Sequence, residues 1–83
     1  MLPEADAAVE TAYRSDWGRI IATLIRLVGD FDVAEEAAQE AFTAAVNEWR
    51  TSGVPRSPRA WLIQTARHKA IDRIRRQIGR AHV

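Results

Sequence analysis

Apolar residues recur at steps of three and four along three stretches of this chain, and two short interruptions separate the stretches. That spacing places side chains on one face of an α-helix, whereas a half-buried strand would show strict alternation, which we do not find. No internal repeat or low-complexity tract is present either. The chain is therefore predicted to be all-α, a compact bundle of three main helices at about residues 5–28, 32–50 and 58–78.

The first helix is predicted from one apolar stripe and from a stop signal at its end. The stripe comprises Val9, Tyr13, Trp17, Ile20, Leu24, Leu27 and Val28. Pro3 and Glu4 suit a first helical turn, because proline is tolerated there and an acid favours the positive end of the helix dipole. Gly29 is a typical C-terminal stop, and the GDFD that it begins is a tight connection.

The second helix is predicted to begin at Asp32 as N-cap, with Glu35 placed three positions later as the acid of a capping box. It is rich in alanine, which lets a neighbouring helix approach closely. Its apolar face comprises Ala34, Ala37, Ala38, Ala41, Phe42, Ala45, Val46 and Trp49. We expect it to end near Arg50, since the following TSGVPRSP holds one glycine and two prolines.

The third helix is predicted to begin at Pro58 with Ser57 as N-cap, and to end before Gly79. Its core side comprises Leu62, Ile63, Ala66, Ala70, Ile71, Ile74 and Ile78. Helical phase places Trp61 opposite that side, on the polar face. Arg67 and Arg73 flank the apolar face, so we expect their stems to cover core edges and their guanidinium groups to pair with acids of the other helices.

The net charge is only +1, but the charged residues are unevenly distributed. Residues 1–30 hold five acids and three bases, residues 31–49 hold five acids and no base, and residues 50–83 hold nine bases against Asp72 alone. The local balances are therefore −2, −5 and +8. A solvated basic face needs no partner, but this concentration exceeds what solubility demands, and it favours a polyanion, nucleic acid above all, at that end.

What the sequence lacks narrows the class of protein. At 83 residues it forms one domain at most, and without cysteine it has no disulfide or thiolate metal site. Its apolar runs are too short to span a bilayer, and the acidic start MLPEADAAVE is unlike a signal peptide, so we expect the cytoplasm and no membrane partner. No catalytic motif occurs. We therefore predict a binding module without catalytic residues, metal or cofactor, and not an enzyme.

The polar face of the second helix carries the first candidate site. It comprises Glu36, Gln39, Glu40, Thr43 and Asn47. An acidic and amide stripe of this kind suits a basic helical surface of a partner protein, where electrostatic complementarity would set orientation and on-rate. The competing interpretation is an ordinary solvated helix face.

The third helix and the connection before it carry the second candidate site. Stacking, hydrogen-bonding and cationic side chains occur together there, as in proteins that grip exposed bases and phosphates. The candidates are Arg56, Ser57, Arg59, Trp61, Gln64, Thr65, His68, Lys69, Arg75 and Arg76, with Arg80 beyond them. The connection TSGVPRSP is a candidate wall for a pocket that receives a flipped base. Alternatively, Trp61 covers the core beneath that connection and His68 is a solvated surface residue.

Two motifs carry a resemblance to a known family. The first is DVAEEAAQEAF, and about twenty residues later comes PRAWLIQTARHKAIDRIRR. Together they resemble region 2 of bacterial sigma-70 family sigma factors, specifically the extracytoplasmic-function (ECF) group, whose usual forms are close to DAEDLVQEVF and FRAWLYRIARNLAIDRLRR. The resemblance covers nearly the whole chain, from about Tyr13 to Arg76.

The resemblance implies a helical domain that docks on the clamp helices of the RNA polymerase β′ subunit and recognises the promoter −10 element as it melts. Glu36, Gln39 and Glu40 match the helix of region 2.2 that contacts β′. Residues 51–57 match the loop that captures an extruded base of the non-template strand. Trp61, Gln64, Thr65, His68 and Lys69 match the start of region 2.4, along the −10 element. An anti-sigma factor is a further candidate partner.

The chain departs from the family pattern at several points. Ala37 and Ala38 replace larger aliphatic residues, and His68 replaces a common asparagine. No region 4, which reads the −35 element, follows, so the chain is expected to be either an excised fragment or a freestanding domain, and its end at RAHV without a linker favours a fragment. Two other functions stay open on the residues alone: a helical protein-interaction module, and a helix-turn-helix domain that binds duplex DNA.

Overall fold

The computed structural model describes the backbone of residues 4–81 and the side chains of residues 4–78. Within that part the chain forms three helices and no strand: α1 (Glu4–Val28), α2 (Phe31–Ser52) and α3 (Pro58–Ala81). Each helix packs against both of the others. The predicted all-α bundle of three helices is therefore confirmed, whereas the expectations for Pro3 and for the Arg80 side chain fall outside the described residues.

The turn between α1 and α2 differs from its prediction at one residue. Gly29 ends α1 as expected, with φ of 69° and its N–H donating to the Ile25 carbonyl at 2.7 Å. The N-cap of α2 is Asp30 and not Asp32, because Asp30 is extended and its carboxylate accepts the Val33 N–H at 3.1 Å. The N-cap therefore lies two residues earlier than predicted, directly after the left-handed Gly29, and the capping box of Asp32 with Glu35 does not form.

The end of α2 lies two residues beyond its predicted position at Arg50. Gly53 follows the helix with φ of 90°, and its N–H donates to the Trp49 carbonyl at 3.0 Å. A side chain at that φ would be strained, so glycine is suited to end the helix here. The connection to α3 is therefore only residues 53–57.

The predicted start of α3 is confirmed and its predicted end is wrong. The hydroxyl of Ser57 accepts the Ala60 N–H at 3.4 Å, and the Ser57 carbonyl accepts the Trp61 N–H at 3.1 Å. The helix does not stop before Gly79 but continues to Ala81. A glycine inside a helix costs about 1 kcal/mol relative to alanine, which weakens the helix without ending it.

The core is formed where α1 and α3 approach the alanine face of α2. Ile20, Leu24 and Leu62 are fully buried, and five of the eight residues of the α2 apolar face have no exposed surface at all. The fully buried alanines of α2 are Ala34, Ala37, Ala38, Ala41 and Ala45. Small side chains at these positions let both neighbouring helices come close, so the predicted role of the alanine face is confirmed.

Three residues of the predicted apolar stripes are exposed. Tyr13 on α1 retains 52% of its accessible surface, Leu27 retains 46%, and Ile78 on α3 retains 55%. Ile78 lies near the end of α3, and Tyr13 contacts the core with part of its ring only, 5.5 Å from Phe42 and 5.0 Å from Trp17 between ring centroids. The stripes are thus wider than the surfaces that the helices bury.

Candidate partner and nucleic-acid interfaces

An open groove of about 420 Å³ runs between α2 and α3 on the outside of the bundle. From α2 it is lined by Glu36, Gln39, Glu40, Thr43, Ala44 and Asn47, and from α3 by Lys69 and Arg73. All five residues of the predicted partner-binding face therefore lie in one groove. The sequence prediction treated α2 alone, and the structure adds α3 as the second wall.

Arg73 spans this groove and holds two carboxylates of α2. Its Nη1 lies 2.6 Å from Glu36 Oε2, and its Nε donates to Glu40 Oε2 at 2.7 Å. The hydrogen bond to Glu40 is the main reason why the pKa of the Arg73 guanidinium is raised above its usual value. The predicted pairing of Arg73 with acids of another helix is confirmed, while the described residues show no such ion pair for Arg67.

This pairing changes the electrostatic character of the groove. Two carboxylates, one guanidinium and one ammonium group line it, so its formal charge is zero. The predicted acidic stripe is therefore not an open acidic surface. Sequence reasoning missed this neutralisation because helical phase describes one helix at a time. The signal for it was present: Glu36 and Glu40 lie one turn apart on α2, and Arg73 flanks the apolar face of α3.

The outer face of α3 carries much of the second candidate site. Gln64, His68 and Arg75 are exposed, and Thr65 is half-buried. Arg76 is also exposed and pairs with Asp72 one turn before it, at 2.6 Å. Lys69 belongs to both candidate sites, because it is exposed on α3 and also lines the α2–α3 groove.

The predicted DNA contacts in the connection and in the first turn of α3 lie on another side of the bundle. Arg56, Ser57 and Arg59 line a separate groove against α1, and Arg59 Nε lies 3.8 Å from Asp16 Oδ1. Nine residues separate Arg59 from His68, which at about 100° per residue places them on opposite sides of α3. The ten predicted nucleic-acid contacts therefore do not form one continuous surface.

Helical phase predicted that Trp61 would point away from the bundle, but the structure places it against the core. It is half-buried against the core, and its ring meets that of Trp49 edge to face, with centroids 5.3 Å apart and an interplanar angle of 69°. The connection at the start of α3 provides Val54 as a further partly buried neighbour of the core. The prediction from helical phase was wrong here because it did not include the connection of residues 53–57. The alternative interpretation, that Trp61 covers the core, describes its contacts better.

Residues 12–79 match the family described as Sigma-70 region 2. The chain belongs to the sigma-70 region 2 family. This family consists of transcription factor domains and not of enzymes. The resemblance seen in the two sequence motifs is confirmed at the level of the family.

This region 2 domain is also similar to an uncharacterized protein of Rhizobium meliloti (strain 1021). The two are 41% identical over 69 residues, which cover 83% of this chain and 16% of that protein. The chain thus spans about a sixth of the length of this relative. No solved structure matches the chain.

The described residues of the region 2 domain contain neither a membrane-spanning helix nor a metal-binding cluster. None of its helices is both long and apolar enough to cross a membrane. No cluster of three or more histidine, cysteine or acidic side chains is arranged to hold a metal ion in residues 4–81.

Proposed function

We propose that this region 2 domain belongs to an ECF sigma factor, acts in the cytoplasm, and docks on the clamp helices of the RNA polymerase β′ subunit. Docking is assigned to the α2–α3 groove. One observation carries the proposal: the five α2 residues selected from the sequence line a single groove whose other wall is the helix assigned to DNA. Polymerase docking and DNA contact would then occur on adjacent surfaces of one helix.

We assign recognition of the promoter −10 element to α3 and to the connection before it. The exposed side chains of Gln64, His68 and Arg75 offer hydrogen-bonding groups and a cation on the outer face. The connection of residues 53–57 would receive an extruded base of the non-template strand. Melting costs a few kcal/mol of stacking per base, which contacts in such a pocket would offset.

The isolated domain is expected to bind DNA weakly, because few cations face the outer side of α3 and two of the predicted DNA-contacting arginines are engaged in ion pairs. Arg59 lies against Asp16, and Arg76 against Asp72. Polymerase would supply the remaining affinity by holding the domain next to the promoter, which raises its effective concentration without new contacts. An anti-sigma factor that covers the α2–α3 groove would block this step.

The docking proposal is tested with a β′ clamp-helix fragment and the full 83-residue chain. Glu40→Lys should weaken binding about tenfold or more, because it places a cation where the partner's cation would sit. Glu48→Lys is the matched control, since Glu48 is an exposed acid on the same helix outside the groove. Circular dichroism checks that both variants keep their helices. Equal loss in the two variants would contradict a groove-specific contact.

The DNA proposal is tested by NMR titration with a single-stranded −10-like oligonucleotide, a scrambled strand and the corresponding duplex. The −10-like strand should shift resonances of α3 and of residues 53–57 more than the scrambled strand does. Tighter binding to the duplex would favour a helix-turn-helix reader instead. Binding to an acidic peptide with indifference to all nucleic acid would favour a protein-interaction module.

A further inference from the structure

Arg73 is a part of the α2–α3 groove to which the docking proposal gives no role. Its side chain retains 34% of its accessible surface and reaches from α3 to Glu36 and Glu40 on α2. Of the ion pairs in the described part of the chain, it is the one that joins α3 to α2, and it engages two acids at once. The other pairs each join one base to one acid.

The geometry shows that Arg73 occupies the groove as a counter-ion. It contacts one oxygen of each carboxylate, and the two acids still expose 53% and 40% of their side chains. A partner can therefore reach the carboxylates from solvent. A cationic partner, however, also meets the charge of Arg73, which offsets one of the two acidic charges, and Lys69 in the same groove offsets the other.

We propose that Arg73 is a specificity-determining residue of the docking groove. It is the domain's own counter-ion for Glu36 and Glu40, and a cationic side chain of the partner must exchange with it. A partner surface that offers only cations gains little binding free energy, because one cation simply replaces another beside the two acids. A partner that also offers hydrogen bonds to Gln39, Thr43 and Asn47 gains enough to bind, so Arg73 discriminates against non-specific basic surfaces. The inference relies on the proposed function only for the identity of the partner.

The test compares Arg73→Gln with Arg76→Gln. Both changes remove one positive charge from α3, but Arg76 pairs with Asp72 on its own helix and lies outside the lining of the groove. Two probes are titrated by fluorescence anisotropy: the β′ clamp-helix fragment, and a short helical peptide with arginines on one face and alanines elsewhere. Circular dichroism verifies that each variant is folded.

Arg73→Gln should bind the arginine peptide about two- to fivefold more tightly than the wild type, the size typical of partly exposed ion pairs. The gain for the clamp-helix fragment should be smaller, so the preference for the fragment over the peptide falls. Arg76→Gln should leave the preference unchanged, and Glu40→Gln added to Arg73→Gln should remove the gain. If Arg73→Gln does not fold, Arg73→Lys replaces it, because a lysine lacks the planar fork that reaches both acids.

The outcomes separate the two proposals. If the wild type ignores the clamp-helix fragment but Arg73→Gln gains a Glu40-dependent affinity for the arginine peptide, the docking proposal is wrong and the counter-ion role stands. If the fragment binds and Arg73→Gln gains affinity for neither probe, Arg73 merely supports the fold and the inference is overturned. An equal gain in Arg76→Gln would also overturn it, since net charge alone would then explain the effect.

Discussion

Replacing Trp61 tests whether this residue is part of the core, as its contacts show. A tryptophan side chain buries about 150–250 Å² in a core, and Trp61 is partly buried against Trp49. Roughly two-thirds of that area at ~25 cal/mol per Å² gives about 2.5–4 kcal/mol, as an upper estimate. The edge-to-face pair adds about 0.5–1.5 kcal/mol. Allowing for partial relaxation, Trp61→Ala should lower the free energy of unfolding by about 3 kcal/mol.

That loss is large for a domain of this size. At roughly 0.05–0.15 kcal/mol per residue, the wild type is expected to have a free energy of unfolding of about 4–12 kcal/mol. The assay is urea unfolding followed by far-UV circular dichroism, because tryptophan fluorescence would itself change with the substitution. With a urea dependence of about 1 kcal/mol per molar for a small domain, the midpoint should fall by about 3 M. Trp61→Phe keeps an aromatic ring and should lose less than half as much.

The contrary result is equally clear. A change below about 0.5 kcal/mol in Trp61→Ala would be typical of a surface substitution, and it would mean that the ring points outward as helical phase predicted. Titration of the folded Trp61→Ala variant, which lacks the ring, with the −10-like strand then measures any separate contact with DNA. Base stacking on an aromatic side chain is worth about 1–3 kcal/mol.

Two further predictions concern the ends of the helices. Asp30→Ala should lower the free energy of unfolding by about 1 kcal/mol, because it removes the acceptor of the Val33 N–H. Asp32→Ala should change this free energy by about a few tenths of a kcal/mol at most. Equal losses in urea unfolding would contradict the assignment of Asp30 as the N-cap. Arg50 donates hydrogen bonds to Asp6 at 2.9 and 2.7 Å and thereby holds the pKa of Asp6 below its ordinary value of 3.8. This pair should stabilise the fold above about pH 4 and lose its effect as the pH falls through the lowered pKa of Asp6. The urea midpoint of Asp6→Asn should therefore fall less than that of the wild type in this pH range. An identical fall in both proteins would refute a contribution of the pair to stability.

The helices could be predicted from the sequence because apolar periodicity and glycine signals are local. Gly29 ends α1 where expected, and Ser57 caps α3. The cap of α2 could not be decided in this way, since Asp30 and Asp32 are chemically identical and both precede helical residues. The choice depends on the backbone angles of the turn, where the left-handed Gly29 leads into an extended Asp30.

The sites were predicted less completely, because a helical phase says which side chains share a face and not what faces them. Glu36, Gln39, Glu40, Thr43 and Asn47 share a face of α2, as predicted, and the structure shows that they line a groove. The second wall, with Lys69 and Arg73, depends on how α3 crosses α2. Trp61 shows the same limit, since its neighbour Trp49 belongs to another helix.

The neutral groove bears on how the domain would choose a partner. An isolated acidic stripe would attract any basic surface, and α3 of the same domain is itself strongly basic. Pairing Glu36 and Glu40 with Arg73 satisfies the acids within the molecule, which disfavours association between copies of the domain through α2 and α3. Under the proposed docking, selectivity would depend on the uncharged side chains of Gln39, Thr43 and Asn47, because hydrogen bonds depend strongly on geometry. A partner would therefore be recognised by its shape and hydrogen-bonding pattern, with charge deciding mainly how fast it arrives.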